Sequence, residues 1–187
     1  MTLGFAPGAR RGRHYELARF AVNKLKKVNL LVTGSTENAF EHTITSSLQS
    51  SPKLSRNLIA GIDKNEVEKI TPANLFGFSH KPDLSIGIDG TAIEIKMVSS
   101  GQGVRDLIGQ AITYRMHYRF VILVLIDQTK DKRLVKLCRS KKTQEFSFLS
   151  ELANTMNVFT VLGPLGRSKN IGFCEIISRN KVISTEH

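Results

Sequence analysis

Cysteine, acidic residues and long apolar runs are scarce in this sequence, and each scarcity removes a class of protein. The two cysteines, Cys138 and Cys174, lie far apart and in no C-x-x-C spacing, which leaves no framework for a zinc site or for disulfides. Both sit in mostly apolar stretches and read as reduced, buried thiols, as expected of an intracellular, reducing compartment. No run of about 18 apolar residues occurs, so no membrane span is expected. The N-terminus carries arginines but no apolar signal core, so secretion is not expected either. The expected setting is cytoplasmic, with a nucleoid-associated or viral one open. There is no internal repeat and no low-complexity segment. Acids are outnumbered, 16 Asp and Glu against 27 Lys and Arg, for a net charge of +11 and a pI near 9.9. That balance favours an anionic partner, and nucleic acid is the leading one because its phosphates dominate affinity.

With 187 residues, 41% of them hydrophobic, the chain suits a single domain over 1–187 with a real core. Residues 1–13 read as a loose basic segment whose Arg10, Arg11 and Arg13 either brush a nucleic-acid backbone or belong to a solvated tail. The organising stretch is 80–96, which reads as a β-hairpin. Leu84, Ile86 and Ile88 alternate with polar or small residues, and Ile93, Ile95 and Met97 do so after Asp89-Gly90, the two-residue turn signal. A tight turn there pairs Ile88 with Thr91, hence Ser85 with Glu94 and Asp83 with Lys96. Period-two alternation sets Asp83, Glu94 and Lys96 on one face, opposite the isoleucines, with Glu94 diagonal to Asp83 at about 7–8 Å between backbones. Two carboxylates so close repel each other unless a cation lies between them. Mg²⁺, which takes one or two carboxylates plus waters and substrate phosphate, suits the pair, and a lysine beside it is a point charge for a phosphate. The same charges also suit an ordinary cross-strand ion pair on a solvated face.

Pro82-Asp83, then Glu94-Ile95-Lys96 after a hairpin, resembles the signature of the PD-(D/E)xK nuclease superfamily. Gln110 and Tyr114 on the following helix resemble the QxxxY motif of some of its branches. The resemblance covers roughly 37–127. It implies an α/β fold of the restriction-endonuclease-like kind, a central mixed β-sheet flanked by α-helices. It implies a metal-dependent DNA endonuclease hydrolysing phosphodiester bonds, of restriction, recombination or repair type. Asp83 and Glu94 would hold Mg²⁺ (or Mn²⁺) with the Ile95 main-chain carbonyl, and Lys96 would position water or stabilise charge on the phosphate. Gln110 and Tyr114 would bind the scissile strand's phosphate or orient the ligands. A further carboxylate is implied from the preceding helix, Glu37 or Glu41, with Glu37 favoured by its first-turn position. The implied partner is double-stranded or branched DNA, with no membrane. A Holliday-junction resolvase, the alternative within the superfamily, would be a symmetric homodimer. A non-catalytic nucleic-acid-binding module on the same fold, and an assembly protein whose basic face meets an acidic partner, are the readings from other classes.

Periodicity sets the remaining elements. Helices are expected at 15–27, with Ala18, Ala21, Val22 and Leu25 on one stripe, and at 37–48, capped by Ser35 or Thr36, with Phe40, Ile44 and Leu48 inward. Others are expected at 104–117, where Asp106, Gln110, Tyr114 and His117 share a stripe, and at 146–154. The run 120–126 reads as a strand buried on both faces, joined to the hairpin by a β-α-β crossover. Residues 75–79 should form or lead into the strand beside the hairpin, with Phe76 and Phe78 in the core. Leu58, Ile59 and Ile62 read as a strand or short turn, 65–70 as a helical turn, and 158–162 and 171–177 as late strands joined by a loop at 163–167. Arg115 and Arg119 flank the buried strand's entry as candidate phosphate contacts. The basic stretch 130–142, broken by Leu134, Val135 and Leu137, is either a DNA-backbone contact or a solvated face. It has no interleaved aromatics, which argues against a single-strand stacking platform there.

Overall fold

Phe120–Asp127 is buried along its whole length, because strands cover both of its edges and helices both of its faces. The structure is a computed structural model that describes residues 5–31, 36–61, 69–166 and 169–173. In chain order its elements are α1 (Gly12–Leu25), α2 (Glu37–Gln49), α3 (Pro52–Ser55), β1 (Leu58–Ala60), β2 (Ala73–Leu75), β3 (Phe78–His80), β4 (Leu84–Ile86) and β5 (Thr91–Val98). Then come α4 (Gly101–Arg115), β6 (Phe120–Asp127), a 3₁₀ turn (Lys130–Lys132), α5 (Arg133–Arg139), α6 (Gln144–Met156), β7 (Val158–Gly166) and β8 (Lys169–Phe173).

Six strands form one mixed sheet in the order β1-β4-β5-β6-β7-β8. β5, β6 and β7 run parallel, while β1, β4 and β8 pair antiparallel. β2 and β3 form a separate two-stranded ribbon. The parallel pairs need crossover helices, and α4 and the α5–α6 pair supply them. α1 lies on one face, where Tyr15 packs on the rings of Phe120 and Phe159. α4 and α5 lie on the other, which carries Glu94 and Lys96. Tyr114 of α4 reaches Glu94, and Leu134 of α5 sits with Leu125, the register partner of Lys96. Side-chain oxygens accept from first-turn amides at three helix starts: Thr36 from Ala39, Ser100 from Gly103 and Thr143 from Phe146.

The hairpin differs from expectation in its turn. β4 ends at Ile86, which pairs with Thr91, and the connection is the four residues Gly87 to Gly90. Gly87 takes φ +74°, which ends the strand two residues early, and a Cβ on Gly90 would collide with the Ile86 carbonyl oxygen. Ile88 is left 67% exposed. The register therefore slips by two residues, which changes the pairs and keeps the faces. Other expectations also fail. Phe76 and Phe78 are not in the core but 89% and 70% exposed, and the strand beside β4 is β1, not 75–79. β7 continues through Gly163-Pro164, where a loop was expected. Residues 5–11 do not hang loose. Arg10 donates to Asn157 Oδ1 (2.9 Å) and the Ala153 carbonyl, and Asn157 Nδ2 donates to the Gly8 carbonyl (2.8 Å). Ser35, Cys174, most of the helical turn at 65–70 and the end of the 171–177 strand lie outside the described residues.

Arg115 is not a phosphate contact. It is 4% exposed and donates to the carbonyls of Met156 (2.6 Å), Ala6 (3.0 Å) and Tyr118, tying three segments together. Arg119, by contrast, is half-exposed and donates to Asp89 Oδ2 at 2.8 and 3.0 Å. Truncating Arg115 leaves buried carbonyls without donors, so Arg115→Ala should lower the unfolding free energy by about 3 kcal/mol. Arg119→Ala should cost under about 1 kcal/mol, as a surface pair does. Urea unfolding of the two variants checks the contrast, and equal losses would contradict it.

Candidate active site

Pro82 has no amide proton to give a neighbouring strand, and β4 begins only at Leu84. β5 runs on past the end of β4 to Val98. In the observed register Leu84 faces Ile93, so Asp83 stands directly opposite Glu94 rather than diagonal to it. The outer edge of β5 then lacks a strand partner, and carboxylates take its amides. Ile95 N–H donates to Asp83 Oδ2 at 2.7 Å, and Met97 N–H to Glu37 Oε2 at 3.2 Å. In an extended strand a residue's N–H and C=O point to the same edge, so the Ile95 carbonyl opens beside Asp83. Glu37, at the first position of α2, also accepts from Lys96 Nζ at 2.8 Å.

Glu94 is 6% and Tyr114 2% exposed. The Tyr114 hydroxyl lies 2.9 Å from Glu94 Oε2 and 3.1 Å from the Lys81 carbonyl. It has one proton to donate, and the carbonyl can only accept. Both contacts are therefore full hydrogen bonds when Tyr114 donates to Lys81 and a protonated Glu94 donates to Tyr114. Electrostatics favour that state. Burial first, then the Asp83 charge, push the Glu94 carboxyl well above its usual range, against the pull of the Tyr114 hydroxyl. Burial likewise raises Asp83, opposed by the Ile95 amide, and the nearby Glu41 and Glu37 raise it further. Lys96 is pushed up, chiefly by its hydrogen bond to Glu37. Tyr114 is pushed up by burial and by Glu94, so the phenol keeps its proton.

Asp83, Glu94, Lys96, Tyr114 and Glu37 thus come together. Glu37 is committed to Lys96 and to a strand amide, while Glu41, one turn on, is the helix carboxylate whose charge bears more on Asp83. Gln110 is half-buried one turn before Tyr114 and hydrogen-bonds to none of them. Nothing in the sequence singled out the Lys81 carbonyl, which Tyr114 holds. Among the described residues no group of three or more His, Cys, Asp or Glu converges on a ready-made metal site. The donors on hand are two carboxylates and one carbonyl. That open, all-oxygen set fits Mg²⁺ or Mn²⁺, which keep several waters. A cation there would also offset the burial, and the lesser carboxylate repulsion, that raise both carboxyls.

Comparison of the chain with family models, with curated proteins and with solved structures finds no match in any of the three. The chemistry of the site therefore rests on its geometry, which fixes a pH dependence. A carboxyl raised by folding binds more protons in the folded than in the unfolded state. Its contribution is present at low pH and lost as pH rises through the interval from about 4.5 to about 8. Without metal, the thermal midpoint should fall across that interval. Glu94→Gln should flatten the fall and be the more stable protein at pH 9. Adding Mg²⁺ at pH 9 should restore the wild type and leave Glu94→Gln unmoved. A wild type with a flat profile would contradict the assignment of the proton to Glu94.

Proposed function

We propose that this protein is a metal-dependent DNA endonuclease built on a restriction-endonuclease-like version of its mixed α/β sheet. The observation that carries the reading is the pairing of half-buried Asp83 with buried Glu94 across adjacent strands, with Lys96 held at the open edge by Glu37. A divalent cation held by Asp83, Glu94 and the Ile95 carbonyl would supply acidification of water and neutralisation of phosphate charge. Tyr114 fixes the Glu94 carboxyl in place. Glu37 fixes the Lys96 ammonium where it stabilises charge building on the phosphoryl oxygens. Asp83 is itself oriented by the Ile95 amide, so the donors are set before substrate arrives.

DNA as substrate is supported by charge. Beyond the C-terminal ends of β5 and β6 lies a cleft of about 460 Å³, lined by Ser99, Ser100, Thr129, Lys130 and Arg133 among others and by no carboxylate. Neither the Lys130 nor the Arg133 side chain has an ion-pair partner among the described residues. Val98 closes β5 two residues after Lys96, about 7 Å along the strand. At about 3.4 Å per nucleotide along one strand of a duplex, the cleft falls a few phosphates from the reacting one.

Supercoiled plasmid with Mg²⁺ or Mn²⁺ should be nicked by the wild type and not with chelator. Asp83→Ala should abolish nicking, and Lys96→Ala should slow it by about a hundredfold or more. Undiminished nicking by Asp83→Ala would defeat the assignment. Separately, binding to duplex DNA in chelator should weaken with salt. Lys130→Ala with Arg133→Ala should lower the slope of log affinity against log salt by about 1.8, two phosphate contacts' worth, and an unchanged slope would remove the cleft from the interface.

A further inference from the structure

The β2–β3 ribbon carries an exception to both turn chemistry and burial. Leu75 pairs with Phe78, so the turn is Phe76-Gly77, with φ +52° and +81°. Positive φ at both central residues is the geometry that Asn-Gly or Asp-Gly normally fills. A bulky aromatic there is a genuine outlier, and such strain concentrates at functional positions. The ring gains no packing in exchange, since Phe76 is 89% exposed and its neighbour Phe78 is 70% exposed.

The ribbon is nonetheless held firmly at its base. Tyr118 Oη donates to the Thr71 carbonyl at 2.6 Å just before β2, and Tyr114 Oη reaches the Lys81 carbonyl just after β3. α4 packs against both strands. Two residues beyond Lys81 is Asp83. The result is a finger anchored at its base by the tyrosine that reaches Glu94, with two bare phenyl rings at its tip.

We propose that this finger stacks Phe76 and Phe78 on unstacked bases of the substrate beside the reacting phosphate. Given the endonuclease function proposed above, DNA with unpaired or displaced bases is then preferred over regular duplex. Asn74 and Ser79 on either side of the tip are exposed and polar, so the apolar patch is no wider than the rings. Two rings fall far short of the roughly 1,000 Å² that a stable protein interface buries, whereas one ring suits one base. Stacking is blind to base identity because every base has a π-face. The net charge of +11 already draws nucleic acid to the protein.

The chain has no tryptophan, so Phe78→Trp installs a single reporter in the finger without touching the strained turn position. Titrated in chelator with a duplex carrying a short bulge, its emission should be quenched, and quenched less by the fully paired duplex. Phe76→Ala with Phe78→Ala should keep the thermal midpoint and lose at least about thirtyfold in affinity for the bulged duplex, the smallest loss expected for two stacked bases, with little change for the paired one. Emission that stays constant while DNA binds, equal losses on both duplexes, or a response to lipid vesicles or protein but not to DNA would each overturn the proposal. Because nothing is cleaved in chelator, quenching without metal-dependent nicking would leave the finger standing and remove the nuclease, and nicking with a silent reporter would do the reverse.

Discussion

The site depends on an unequal pair of strands. β5 continues where β4 has not yet begun, and the amides along its outer edge need acceptors at a place where water has limited access. Buried backbone donors are almost never left unpaired. Asp83 and Glu37 take the amides of Ile95 and Met97, so the acidic groups do the work of a missing strand. This gives each carboxylate a fixed position before any ligand is present. It also leaves the Ile95 carbonyl facing outward between them, and it brings α2 close enough for Glu37 to hold Lys96.

Chemistry follows from how little charge that arrangement balances. Half-buried Asp83 and buried Glu94 lie side by side, and the ammonium of Lys96 is turned to Glu37. The pair is therefore held in a state that favours an extra proton, with the Tyr114 hydroxyl within hydrogen-bond distance of both Glu94 and the Lys81 carbonyl. A divalent cation is the natural replacement for that proton. The same tyrosine ties the acidic pair to the β2–β3 ribbon, so that pair and the exposed aromatic tip share one support.

Much of this was legible in the sequence, and the failures have definite causes. The faces were legible because alternation survives a register slip of two residues. The register was not, because alternation alone makes Gly87 an ordinary strand position, whereas its positive φ takes the chain out of the strand. The buried strand β6 was unmistakable from its unbroken apolar run, and the β5-α4-β6 crossover with it. The family resemblance implies Glu37 or Glu41 near the site, with the first-turn position favouring Glu37, but the partner of Glu37 is Lys96, a pairing across segments far apart in sequence. Arg115 looked like a surface cation because its three carbonyl acceptors come from Ala6, Tyr118 and Met156, a coincidence of tertiary structure that no local pattern encodes. Phe76 and Phe78 looked like core because aromatics usually are. Local rules tend to fail at sites that serve something other than folding.

The central claim, that Asp83 and Glu94 form a metal site whose resident proton the metal displaces, is tested most directly by calorimetric titration with Mn²⁺ at pH 7. Repeating the titration in buffers of different ionisation enthalpy counts the protons released. Binding with net proton release, lost in the Asp83→Asn, Glu94→Gln double variant while the fold persists, is the predicted result. No binding to the wild type, or binding that survives in the double variant, would contradict the account.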